Sequence, residues 1–193
     1  PGTVRPYFEV LADGVKQLNP ALTRFIEQQK LFFVATAARD GRFNVSPKGL
    51  DDTLKVMSPS QILWLNLSGS GNETAAHLFD QNRITLMFCA FEGPPTILRV
   101  YGRVDVIHPR DAAWSELIGL FPKLAGSRQI FDITIDLVQT SCGTGVPFYE
   151  YQGDRGSTEL VPFYADMGDE GVEAYWNKKN QTSIDGKPTH IID

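Results

Sequence analysis

The chain holds 193 residues, of which 42% are apolar, 11% aromatic and 21% charged, a balance that excludes a charged, disordered tail and fits a packed globular protein. This length suits one sizeable domain and falls short of two ordinary ones. The net charge of −5 argues against nucleic acid or an anionic membrane as partner, but a local cluster of donors can still hold a phosphate.

From Asn19 to Gln29 the pattern is helical, with Leu22, Phe25 and Ile26 three and four apart, Asn19 placed as N-cap and Pro20 in the first turn. The period then changes. Leu31 to Ala38 is an apolar run of strand length, followed by an Asp40-Gly41 hairpin turn and a returning strand over Phe43 to Gly49 that Pro47 ends or makes irregular. Further strands are expected over 54–57, 62–67, 84–91 and 96–107. Between them, Ser68 to Asn82 is a small-residue loop feeding a short helix, Thr74 to Phe79. A second helix fits Arg110 to Phe121, where Ala113, Trp114, Leu117, Ile118 and Phe121 share a face. Phe131 to Val138 alternates as a half-buried strand, and the tail from Gly168 carries a short helix around Val172 to Asn177.

Short strands joined by tight turns, with few intervening helices, predict a mainly antiparallel barrel rather than a doubly wound parallel sheet. The chain reads as a single domain over 1–193, with its core over about 20–150 and a C-terminal extension over about 151–193. No apolar run approaches the ~18 residues of a membrane helix, and no secretory h-region opens the sequence, so a cytoplasmic location is expected. Cys89, inside an apolar run, reads as a small buried hydrophobe.

Two constellations carry chemistry. Asn44, Ser46 and Lys48 fall on one face of a strand beside Pro47 and Gly49, so an amide, a hydroxyl and an ammonium point the same way. Such a strand end can face a ligand, with the lysine neutralising a phosphate; it can equally be a solvent-facing edge strand. The second is Asn66 to Thr74, where glycines and the free N–H groups of a helix start favour an anion and Ser70, Asn72 and Thr74 add donors. It matches neither a Walker loop nor the dinucleotide glycine motif, and the same side chains serve as helix caps in the plainer reading. An antiparallel barrel can bring Lys48 near the N–H groups around Gly71, the combination a mononucleotide phosphate needs.

In this order and spacing, Phe33-Val34-Ala35-Thr36-Ala37, Asp40-Gly41, Asn44 to Gly49, Ile62 to Asn66, Ser70 to Thr74 and Leu98 to Val104 resemble the pyridoxamine 5'-phosphate oxidase-like FMN-binding split barrels. The resemblance implies a six-stranded antiparallel split β-barrel with a few flanking helices, and a homodimer with FMN at the subunit interface. It implies that Ser46, Pro47 and Lys48 contact the flavin ring and phosphate, and that Asn66 lies near the ring or ribityl chain. Ser70, Gly71, Asn72 and Thr74 would surround the phosphate. Arg99, sharing a face with Tyr101, would border the site or serve as a salt-bridged barrel residue.

The C-terminus departs from the pyridoxamine phosphate oxidases proper: no Arg-x-x-His-type substrate motif is present, and the end carries Tyr175-Trp176 followed by Lys178-Lys179. Trp176 reads either as a ring-stacking partner for a substrate or as dimer packing. Cys142, in a turn-rich loop, reads as structural, since no charge lies nearby in sequence to activate it. His77, His108 and His190 show no metal-ligand spacing, and His77 is expected on a surface or interface. The expected function is that of an FMN-dependent oxidoreductase acting on a small molecule, with a flavin or haem carrier or sensor on the same barrel as alternative. The deazaflavin F420 stays open as cofactor.

Overall fold

The computed structural model describes residues 14–192. Helix α1 (Pro20–Gln28) starts where the sequence demands: Asn19 Oδ1 accepts from the N–H groups of Ala21 and Leu22 at 3.0 and 2.9 Å, and Pro20 occupies the first turn. Seven strands follow: β1 (Phe32–Ala37), β2 (Phe43–Lys48), β3 (Leu54–Ser58), β4 (Gln61–Leu67), β5 (Ile84–Cys89), β6 (Thr96–Ile107) and β7 (Ser127–Cys142). All pair antiparallel in one sheet of order β2-β1-β5-β6-β7-β4-β3. The first and last strands of that order are its edges, so the barrel is split between β2 and β3. The mainly antiparallel class is the expected one. The count of six is one too few, although the apolar runs themselves mark seven.

Strand β6 alternates strictly enough to bury Leu98, Val100 and Val104, while β4 is buried on both faces over Ile62 to Asn66. Inside the barrel Trp64 stacks on Phe131 at 4.7 Å and Phe32 on Phe88 at 5.6 Å. The other face of β4 and β7 buries Leu63, Leu65 and Ile130 under α3 (Ala112–Leu117) and Phe121. Between Tyr101 and Gly102 the β6–β7 register slips. A Cβ at Gly102 would stand 2.3 Å from the Thr134 carbonyl oxygen, so this bulge requires glycine.

Helix α2 (Glu73–Asp80) follows the small-residue loop as expected. Helix α3 is shorter than the expected 110–121, because the chain tightens into a 3₁₀ turn over Ile118–Leu120 ahead of Pro122. The larger difference lies at the end. A π-turn over Gly156–Leu160 leads into α4 (Val161–Lys179), which far exceeds the expected 172–177 and breaks its dihedrals at Gly168, φ 69°. Two glycines and a weak apolar stripe hide that helix from periodicity. Arg42 pairs with Asp185, and the Ile184 N–H donates to Glu73, so the extension is tied to β2 and α2. Among the described residues no helix is long and apolar enough to cross a membrane.

Candidate functional site

Where the edges of β2 and β3 part, the surface opens into a cleft of about 870 Å³. Its walls come from β2, the loop into β3, β4, the loop into α2, the start of β7 and the turn leading into α4. Ser46, Pro47 and Lys48 lie on its β2 side, with Pro47 outward on the edge strand, where a missing N–H costs no ladder bond. Asn66 stands on β4, and Ser70, Gly71, Asn72 and Thr74 form the loop and helix start opposite. Eight of the nine residues expected at the site thus line one cleft. The ninth, Arg99, lies elsewhere in this chain: its guanidinium donates to Ser141 Oγ at 3.0 Å, across from β7.

Lys48 is half-buried and pairs with no carboxylate among the described residues; its ammonium sits 5.6 Å over the Trp64 ring. Burial first, and then the Arg128 charge, push its pKa down to about 8. Arg128, on β7, is 3% exposed and also lacks an acidic partner among the described residues. One terminal nitrogen donates to the Gly71 carbonyl at 2.9 Å and to Asn180 Oδ1 at 2.7 Å, while Nε has no acceptor among the described residues. Burial pushes its pKa down to about 10, against the pull of Tyr164 and Tyr175. Two cations without counter-ions in one half-enclosed site are costly unless an anion completes them.

The loop between β4 and α2 is fastened from behind. Ser68 donates through both N–H and Oγ to the Gly126 carbonyl, Trp176 Nε1 donates to Ser68 Oγ at 2.7 Å, and Asn180 Nδ2 donates to the Gly69 carbonyl. With those carbonyls turned away, the N–H groups of Ser70, Gly71 and Asn72 find no acceptor among the described residues. Asn72 occupies the N-cap of α2 yet makes no capping bond; neither of its amide atoms has a partner among the described residues. A Cβ at Gly69 would meet nothing within 4 Å, so the fold itself does not demand glycine there; its effect is a cleft wall without a side chain.

Every buried side-chain N or O atom left without a partner among the described residues belongs to this cleft: Ser46 Oγ, Asn72 Nδ2 and Oδ1, and Arg128 Nε. Native folds leave few such groups, and their convergence marks where a polar ligand completes the set. Behind them, Asn44 Nδ2 reaches Thr36 Oγ1 at 3.3 Å and Thr74 Oγ1 at 3.2 Å, and Thr36 Oγ1 meets His77 Nδ1 at 3.1 Å. These contacts brace α2 on β1 and β2. They also correct the expected surface position of His77, which is 1% exposed because its helix packs inward across the sheet. Cys89 is buried as expected.

Residues 18–142 match the family model described as Pyridoxamine 5'-phosphate oxidase. The chain belongs to the pyridoxamine 5'-phosphate oxidase family. Consistent with this, it is 34% identical to the pyridoxamine 5'-phosphate oxidase family protein ustO of Aspergillus flavus over 198 residues, covering 94% of this chain and 76% of that protein. Among solved structures, a variant of HupZ from Group A Streptococcus shares the fold at a TM-score of 0.50 and 16% identity, covering 63% of this chain and 98% of that one. An FMN-binding protein from Syntrophomonas wolfei subsp. wolfei superposes with a TM-score of 0.46 at 12% identity, over 60% of this chain and 80% of that one.

The family match ends at Cys142, so part of the cleft lies beyond it. Arg155, Glu159, Leu160 and Phe163 form its outer wall, and Asn180 and Trp176 hold its loop. Trp176 itself does not line the cleft. Sequence reasoning missed Arg128. Only the strand that carries it was readable, because Gln129 alternates in phase with Phe131 and Ile133, which extends β7 back through Arg128 to Ser127.

Proposed function

We propose that this chain is an FMN-binding flavoprotein acting as an FMN-dependent oxidoreductase on a small molecule. The observation that carries this reading is the convergence of Ser46 Oγ, the Asn72 amide and Arg128 Nε, all buried and unpartnered, with the unpaired Lys48 on one cleft. That donor set suits a phosphate monoester, and the cleft volume lies within the ~300–1,000 Å³ of small-molecule sites. Lys48 and Arg128 would hold the phosphate together with the N–H groups of the Ser70 to Asn72 loop. Ser46 and Asn66 would orient the remainder of the cofactor along β2 and β4. When bound, the flavin supplies the hydride or electron transfer, and the protein supplies binding, orientation and exclusion of water.

Membership of the family supports the cofactor class, and the absence of an Arg-x-x-His-type motif from the sequence argues against pyridoxamine phosphate itself as substrate. We also propose a homodimer. Phe43 and Val45 point outward from the edge strand β2 at 85% and 65% exposure, an apolar pair that a second copy would cover. No histidine lines the cleft, so the haem alternative would need a different axial ligand.

The test is a titration of the purified chain with FMN and with riboflavin, followed by flavin fluorescence. We expect FMN to bind at least ~100-fold more tightly than riboflavin, because the phosphate meets two cations. Lys48→Ala should erase most of that difference. A protein that stays colourless in excess FMN would sink the proposal, and a Soret band on adding haem would favour the haem carrier. Bleaching of the bound flavin by a nicotinamide separates an oxidoreductase from a passive carrier.

A further inference from the structure

One end of the barrel interior is closed by a polar row across three neighbouring strands. Asn66 on β4 is the register partner of Gln129 on β7, and His108 follows Ile107, the last residue of β6, beside Ile130. Asn66 Nδ2 lies 3.2 Å from Gln129 Oε1, and Gln129 Nε2 lies 3.3 Å from His108 Nε2. Gln129 is fully buried and His108 is 2% exposed, so these two side chains are shielded from bulk solvent.

The polarity of such a row is set at its far end. His108 Nδ1 lies 3.7 Å from Asp111 Oδ2, a carboxylate that favours the ring proton on that nitrogen. The proton of the neutral ring therefore sits on Nδ1, and Nε2 offers its lone pair. Burial first, then Arg110, hold the ring neutral, with its pKa down to about 4, although Asp111 pulls the other way. A bare Nε2 obliges Gln129 to donate through its NH₂ and to turn its oxygen to Asn66. Asn66 must then donate through its own NH₂, which leaves its Oδ1 without a partner among the described residues, on a residue that lines the cleft.

We propose that the row His108–Gln129–Asn66 is a polarity relay that fixes the Asn66 side-chain oxygen as a hydrogen-bond acceptor, so that this point of the cleft selects a ligand N–H or O–H and rejects an acceptor. His108 and Gln129 are positioning residues that act through Asn66. Lys48, Arg128 and the loop N–H groups supply donors to the same cleft, so an acceptor fixed at Asn66 gives the bound molecule a direction. On the flavin reading above, on which the ligand's identity rests, the selected group is either the imide N–H of the ring or a hydroxyl of the ribityl chain.

Two measurements test this. The first needs no ligand: nitrogen NMR of the imidazoles in the whole chain at pH 7 should show His108 with Nε2 bare and Nδ1 protonated. In Gln129→Glu the carboxylate offers only acceptors, so His108 should become doubly protonated while Asn66 keeps its orientation. The second compares FMN with analogues methylated at the imide nitrogen or lacking one ribityl hydroxyl at a time. One of these should bind about 10-fold or more weakly, and which one identifies the donor. That ranking should survive in Gln129→Glu and collapse in Gln129→Met, which fills the same space without hydrogen bonds. A His108 protonated on Nε2 in the parent chain, or an unchanged ranking in Gln129→Met, overturns the relay. If Gln129→Met does not fold, the parent tautomer and the Gln129→Glu ranking still decide. If no flavin binds but both NMR results hold, the flavin reading falls and the fixed acceptor stands.

Discussion

Replacing Lys48 by methionine should move ligand affinity and stability of the free protein in opposite directions. The ammonium is half-buried, has no counter-ion among the described residues and lies near a second buried cation, Arg128. Its pKa falls from 10.5 to about 8, which corresponds to about 3 kcal/mol of cost for carrying the charge in the fold. Solvent screening at the open side reduces that to about 1–3 kcal/mol. Because the folded value lies below the unfolded one, the unfolded chain holds the proton more tightly between pH 8 and 10.5. Stability should therefore rise with pH across that window in the parent and lack this rise in Lys48→Met. Urea unfolding of both ligand-free proteins at pH 7, 8.5 and 10 isolates the effect, because other titrating groups cancel in the difference. At pH 7 the variant should be the more stable by about 1–3 kcal/mol, yet bind FMN about 10- to 100-fold more weakly through loss of a charge-assisted contact. In the parent, affinity should decline above pH 8 as the lysine loses its proton. A variant that is less stable than the parent, or equal in affinity, would refute the view of Lys48 as a strained anion anchor.

Arg128→Met should weaken FMN binding at least ~10-fold and, unlike Lys48→Met, destabilise the free chain by about 1–3 kcal/mol, since the Gly71 carbonyl and Asn180 lose their donor; titration and urea unfolding read both. Trp176→Phe removes the bond to Ser68 Oγ and should cost about 1 kcal/mol, with a smaller loss of FMN affinity because the cleft loop loosens. Gly126→Ala should cost more than 2 kcal/mol in thermal or urea unfolding, because φ is +78° and the new Cβ would stand 2.7 Å from the Tyr164 ring.

Much of the barrel is legible because its signals are local. Asn19-Pro20 dictates where α1 begins, Asp40-Gly41 dictates the first hairpin with Gly41 at φ +90°, and the largely apolar run Thr96 to Ile107 marks β6 over its observed length. The cleft is half legible for a related reason: Ser46, Lys48 and the Ser70 to Thr74 loop are short segments whose composition already suits an anion. Arg128 and Asn180 are not legible, because their meaning comes from contacts across 57 and 111 positions of sequence to Gly71 and Gly69. His77 misleads for the opposite reason. A lone histidine on a short helix looks like a surface residue until the sheet brings Thr36 to its ring.

Asn180 raises the question of why a buried arginine faces an amide rather than a carboxylate. Its Oδ1 accepts from Arg128 and its Nδ2 donates to the Gly69 carbonyl, so one neutral side chain orients the cation and anchors the loop. An aspartate would keep the first contact, neutralise the guanidinium and lose the second, setting a carboxylate oxygen against a carbonyl. Asn180→Asp should therefore lower FMN affinity about 10-fold or more even though no atom at the cleft surface changes in size. The effect on stability of the free chain should be small, because the new ion pair offsets the lost bond to Gly69, worth about 1 kcal/mol. Paired with an FMN titration, a competition with inorganic phosphate locates the loss: the guanidinium and the loop N–H groups both act at the phosphate, so both ligands should weaken alike. Unchanged affinity for both would mean that Arg128 serves only the fold, and that Lys48 and the loop N–H groups alone give the cleft its preference for an anion.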